Sequence, residues 1–234
     1  MADLISGMAR RLLQFKADAG FTSPAALAGN APPAAQAGSA ARSSWQPAHH
    51  AEDNWLDEVP GTHRLFFDTT TPEGFGEAIF WANNYLNANK SGYGVEDNSL
   101  AIVICARHHS TAFAYSDAIW AKYGAPLAER DRFNDPKTTK APVINVYRVA
   151  SYGNLLRNNG VTLDSILDRG VRLAVCRLAT RARAGMIARQ MGGTADEVFN
   201  ELASHLVPNA RIVPAGIVAV NRAQERGYTF ASAG

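Results

Sequence analysis

The chain has 234 residues, room for one domain or for one domain and a tail. Hydrophobic residues make up 47% and charged residues 19%, which supplies a sizeable core and excludes global disorder. The 23 lysines and arginines against 21 aspartates and glutamates leave +2, with no basic block of the kind that phosphate contacts need, so nucleic acid is not an expected partner. No apolar run approaches the roughly 18 residues of a membrane span. Cys105 and Cys176 are too few for a disulfide scaffold or a cysteine-built zinc site.

In chain order, residues 1–53 stand apart. Leu4, Ile5, Met8, Leu12 and Phe15 fall near helical spacing and predict a short amphipathic helix over 3–17. An Ala/Pro/Gly/Ser-rich stretch then reads as a linker or extended arm, with too little bulky apolar surface to offset the entropy of ordering it. Arg10-Arg11 followed by Leu12-Leu13 has the outline of a twin-arginine signal, with Ala35-Gln36-Ala37 as a small-residue cleavage site. Lys16, Asp18, Pro24, Pro32 and Pro33 interrupt the segment where a continuous apolar region belongs. Both readings stand: a cytoplasmic protein with an ordinary tail, or one exported to the periplasm.

Residues 54–234 read as an α/β domain. A first strand is predicted over 62–69, then a helix with Thr71 as N-cap and Pro72 at its first position, fraying near Lys90-Ser91-Gly92. Residues 100–105 (LAIVIC) form a β-branched run of the kind buried on both faces. A helix follows over about 113–123. Within 125–160 the charged piece 131–140 reads as loop and 143–146 as a short extra strand. Thr162 opens a helix that Gly170 closes, and 171–176 (VRLAVC) is a third buried strand. Helices over about 177–190 and 194–206, a strand over 211–213, a helix over 217–224 and a last strand over 228–231 complete the chain. Thr194 with Glu197 makes a capping box. Alternating strands and helices predict a mostly parallel sheet with helices on both faces, a three-layer sandwich whose chemistry collects beyond the carboxyl ends of the strands.

Two strand ends carry the candidate chemistry. Cys176 stands where a buried strand gives way to a helix, and the positive end of that helix favours the thiolate, the form that attacks or carries sulfur. Arg181 and Arg183 lie within two turns of it, Arg183 on the same helix face. The alternative is a small apolar filler at a strand end. Cys105 shares the parity of Val103 and reads as core. His108 and His109 sit in a strand-to-helix loop where an imidazole can act as base or bind an anion; no third ligand follows at helical spacing, so no metal site is expected. There is no phosphate loop, no GxGxxG after a strand and no GxSxG elbow, and no paired carboxylates for hydrolysis, so no cofactor is expected and no residue set calls for catalytic turnover.

The segment Gly170-Val171-Arg172-Leu173-Ala174-Val175-Cys176, the Ala/Arg-rich helix after it, Ile212-Val213-Pro214-Ala215-Gly216-Ile217 and Gln224-Glu225-Arg226-Gly227-Tyr228 together resemble the DsrE/DsrF-like family. The resemblance spans about 62–231. It implies a flavodoxin-like α/β fold, assembly into trimers or hexamers, and, as in the sulfur-carrying members, a persulfide on the cysteine that ends the strand, here Cys176. A sulfur-relay partner protein follows from the same resemblance. The insertion at about 125–160 and the long N-terminal segment depart from the compact relays of transfer-RNA thiolation. Two functions therefore stand side by side: a sulfur carrier with Cys176 as the persulfide site, or a non-catalytic oligomeric binding or scaffold protein in which Cys176 is packing. A third possibility is an anion or small-molecule site at His108 and His109.

Overall fold

Within Gln46–Gly234, the residues that the computed structural model of the chain describes, five strands form one all-parallel sheet. The readings placed on 1–45, the amphipathic helix and the arginine pair among them, lie outside the described residues. In chain order the elements are α1 (Trp55–Glu58), β1 (His63–Thr69), α2 (Pro72–Tyr93), β2 (Leu100–Ala106), α3 (Asp117–Asp131), α4 (Leu163–Leu167), β3 (Arg172–Cys176), α5 (Arg177–Met191), α6 (Ala195–Ser204), β4 (Ala210–Val213), α7 (Gly216–Glu225) and β5 (Thr229–Ala233). The folded unit begins a few residues before 54: Ala51–Asp53 makes a 3-10 turn, and Asp53 lies 3.6 Å from Arg222 of α7.

The strand order is β4-β3-β2-β1-β5, which puts the driest runs in the middle. Every residue of β2 is buried, and in β3 only Arg172 is not. Edge strands β4 and β5 are mostly open to solvent, where their unpaired rims tolerate polar side chains. Alternation splits the sheet cleanly. Phe67, Ile102, Ile104, Leu173 and Val175 face a thick layer built by α2 to α6. Phe66, Ala101, Val103, Cys105 and Ala174 face a thin layer built by α1 and α7 alone. This is the expected three-layer α/β sandwich of flavodoxin-like type.

The helix starts behave as their sequences imply. The Thr71 hydroxyl accepts from the Gly74 amide at 2.9 Å, and the Thr194–Glu197 capping box is closed in both directions. Three expectations need correction. Helix α2 does not fray at 90–92; it runs to Tyr93 and ends on Gly94, whose φ of 65° supplies the left-handed residue that terminates it. The helix expected over 113–123 is instead a 3-10 stretch over His108–Ala114 followed by α3, which reaches Asp131 despite Pro126. The missing Pro126 amide is accommodated by a kink at Tyr123, where φ and ψ are −120° and 17°.

The extra strand expected at 143–146 does not form. Asn145, fully buried, spends its side-chain amide on the carbonyls of Phe113 (2.7 Å) and Tyr115 (3.0 Å), and its side-chain oxygen caps a 3-10 turn at Tyr147. No strand lies alongside, so a β ladder would leave this backbone unpaired. Tyr147 donates to the Pro72 carbonyl at 2.6 Å, and its ring packs edge-on to Phe113. The 125–160 insertion is thus stitched into the thick layer.

Candidate functional site

The connection after β3, α5, packs on the thick side of the sheet, whereas α7, the connection after β4, packs on the thin side. β3 and β4 are neighbours, with Cys176 opposite Val213. Two adjacent parallel strands whose connections part to opposite faces open a crevice at their carboxyl ends, the usual ligand position in open α/β sheets. Here that crevice is a cavity of about 310 Å³ lined by Cys176, Arg107, His108, Arg130, Arg183 and residues of the first turns of α5 and α7.

Cys176 is the N-cap of α5. Its extended backbone ends the strand, and its Sγ accepts from the Ala179 amide at 3.5 Å. It is 7% exposed, and that exposure is to the cavity. The Cys176 carbonyl is fixed from behind: Thr180 donates to it at 3.0 Å, and the buried Tyr115 hydroxyl donates to Thr180 at 3.0 Å. Burial pushes the Tyr115 phenol up to about 12, so it remains a proton donor at neutral pH.

Cys105 is fully buried on the thin side, as its parity implied, and its Sγ donates to the Gly216 carbonyl at 3.7 Å. Desolvation pushes its thiol well above the ordinary value, and the charge of Asp68 acts in the same direction. Gly216, at the start of α7, is the residue that lets α7 approach so closely. A Cβ there would stand 2.6 Å from Arg107 Cβ and 3.1 Å from Cys105 Sγ.

Arg107 was not singled out by its sequence position, yet it lines the cavity together with Cys176. Ala106 pairs with Val175, and the next step of that register sets Arg107 beside Cys176. Asp68, one residue before the end of β1, receives Nε and Nη2 of Arg107 at 2.7 Å each. An arginine following a buried strand and a lone aspartate near the end of another are both visible in the sequence. Their pairing across 39 residues is not.

His108 lines the cavity in a left-handed conformation with φ 55°, uncommon for a residue with a side chain. Its carbonyl is held there by Arg183 Nη2 at 2.5 Å and by the Thr111 hydroxyl at 3.0 Å. The two imidazoles meet edge to face at 4.1 Å, so only His108 fronts the cavity while His109 stands behind it, its Nδ1 3.6 Å from Asp131. Burial holds both imidazoles below their ordinary value; His109 adds to the shift at His108, and Arg130 to that at His109.

Arg183 shares the face of Cys176, as its spacing implied, but it is 1% exposed and committed to the buried Asp131 carboxylate and to the Ala179 and His108 carbonyls. Arg181 takes no part in the cavity. Five residues on from Cys176 it has turned about 140° around the helix, and it pairs with Asp196 and lies over the Phe199 ring of α6. Its expected binding role is replaced by a tie between α5 and α6. Among the described residues, no three His, Cys, Asp or Glu side chains are grouped to hold a metal ion, and no helix is long and apolar enough to cross a membrane.

No protein-family model matches the chain, and no curated protein does. Among solved structures, the chain is similar to a protein of unknown function, MTH1491, from Methanobacterium thermoautotrophicum, at 14% identity and a TM-score of 0.38, over 73% of this chain and 99% of that one. The architecture described above rests on this chain's own sheet and helices.

Proposed function

We propose that this is an oligomeric DsrE-like protein that carries sulfur on Cys176. One observation carries the reading: the thiol that caps α5 lies in the switch-point cavity, beside an arginine that Asp68 holds in place. A sulfur carrier needs a thiol that small donors reach and a fixed hydrogen-bond donor for the persulfide anion; Asp68 takes Nε and Nη2 of Arg107, which leaves Nη1 for that anion. The step balances without a cofactor. The Cys176 thiolate attacks the outer sulfur of a donor persulfide, the donor S–S bond breaks, and the donor leaves as a thiolate that takes up a proton. Release to a relay partner is the same exchange in reverse, so no net redox change is required.

The test is to incubate the reduced protein with a sulfane-sulfur donor and map the product by peptide mass. The expected result is a gain of one sulfur atom on the Cys176 peptide, none on the Cys105 peptide, and none at all in Cys176→Ser. Loading confined to Cys105, or equal loading in Cys176→Ser, sinks the proposal.

The scaffold reading has its own support. Leu178 and Ile217 stand exposed at the cavity, Val218 is exposed on α7, and Trp81 is exposed on α2. Such apolar side chains are what a trimer or hexamer would cover. Light scattering that returns the 25.1 kDa of one chain at micromolar concentration would remove the oligomer from both readings.

A further inference from the structure

The cavity at Cys176 has a lining with a definite chemical bias. Leu178, Ala179, Ala182, Ala215 and Ile217 make its walls apolar, and no acidic side chain lines it. Its cations are not equivalent. Arg107 is held by Asp68 and Arg183 by Asp131, whereas Arg130 belongs to no ion pair among the described residues. Three guanidiniums against two carboxylates leave one positive charge, and Arg130, exposed where it borders the cavity, is the side chain that carries it. The volume of about 310 Å³ is at the lower end for small-molecule pockets and roughly ten times the 30 Å³ that one water takes up in the liquid.

We infer that the cavity takes a small organic anion on the order of ten heavy atoms, a short apolar body bearing one carboxylate that meets Arg130. An inorganic anion would meet Arg130 but find no donor on Leu178, Ala182 or Ile217 for its other oxygens, so an anion with an apolar body matches the lining better. A zwitterionic peptide is disfavoured for the same reason, since its ammonium has no acceptor on the walls. Resting on the sulfur reading, this ligand is the body of the thiol or persulfide that exchanges with Cys176, as donor or as acceptor.

The experiment uses unreactive probes on the full chain: acetate, butyrate, hexanoate and the uncharged hexanamide, titrated by calorimetry. Affinity should rise from acetate to hexanoate by about fourfold for each methylene that the walls cover. Hexanoate should bind about tenfold more tightly than hexanamide, and Arg130→Gln should erase that difference while leaving hexanamide unchanged. Arg130→Lys should recover most of it. Equal affinity for acetate and hexanoate, equal affinity for hexanoate and hexanamide, or no saturable binding in the millimolar range would each overturn the inference. A second measurement separates it from the sulfur reading, by loading Cys176 with the persulfide of mercaptohexanoate and with inorganic polysulfide. Hexanoate binding without any loading overturns the sulfur reading and leaves the ligand class standing. Efficient loading by polysulfide with no hexanoate binding does the opposite.

Discussion

Asp68, one residue before the end of β1, and Arg107, the residue after the neighbouring parallel strand β2, meet in a two-point ion pair, both hydrogen bonds 2.7 Å long. The carboxylate is almost wholly buried and the guanidinium about one quarter exposed, so the pair combines a fixed direction with access to the cavity. A planar fork on a carboxylate sets orientation as well as charge, which a lysine in the same place cannot do. Asp68→Asn should therefore free the Arg107 side chain and cost about 1–3 kcal/mol in urea unfolding. Arg107→Lys should keep the charge, lose the fork, and slow sulfur loading of Cys176. Unchanged loading in both variants would remove Arg107 from the site.

Gly216 is a test of packing at the same place. Alanine there puts a methyl group within 2.6 Å of Arg107 Cβ, and the flanking sheet cannot move away. Gly216→Ala should cost about 1–3 kcal/mol and displace α7 from the end of β2, read as faster alkylation of Cys105. A stability within experimental error of the parent would show that α7 is held less tightly than these contacts imply.

Asp131 decides between two opposing effects. Burial pushes its carboxyl up to about 6, while the Arg183 guanidinium pulls the other way. A carboxyl raised above its unfolded value of about 3.9 binds protons more tightly when folded, so its share of the stability is present at low pH and lost as pH rises through the folded value. Relative to Asp131→Asn, the parent protein should lose about 2–3 kcal/mol between pH 4 and 6, since a tenfold change in proton affinity is worth about 1.4 kcal/mol. If the parent instead gains on the variant over that window, the pairing with Arg183 outweighs desolvation.

Asn145 should prove the anchor of the 125–160 insertion. Its side chain makes two hydrogen bonds to otherwise buried carbonyls of Phe113 and Tyr115. Asn145→Ala removes both donors and should cost about 2–4 kcal/mol, with hydrogen exchange accelerating first over the insertion rather than over β2 or β3. Uniform acceleration across the sheet would mean that the insertion and the sandwich unfold as one.

Much of this was legible from local pattern alone. The β-branched runs ending at Cys105 and Cys176 could only be dry central strands. The threonine caps at Thr71, Thr162 and Thr194 are satisfied within three residues, and the placement of Cys176 at a helix start follows from where its strand stops. These features depend on neighbours in the chain, so periodicity and capping chemistry determine them. The face on which each helix lies, and with it the opening between β3 and β4, was settled only when the sheet took its order. So were the union of Asp68 with Arg107, the turning of Arg181 toward Asp196, and the coil at 143–146, which was short of a neighbouring strand and held by Asn145. Each of these joins groups far apart in sequence, and their partners are chosen by which buried polar groups and apolar faces remain to be satisfied once the core has closed.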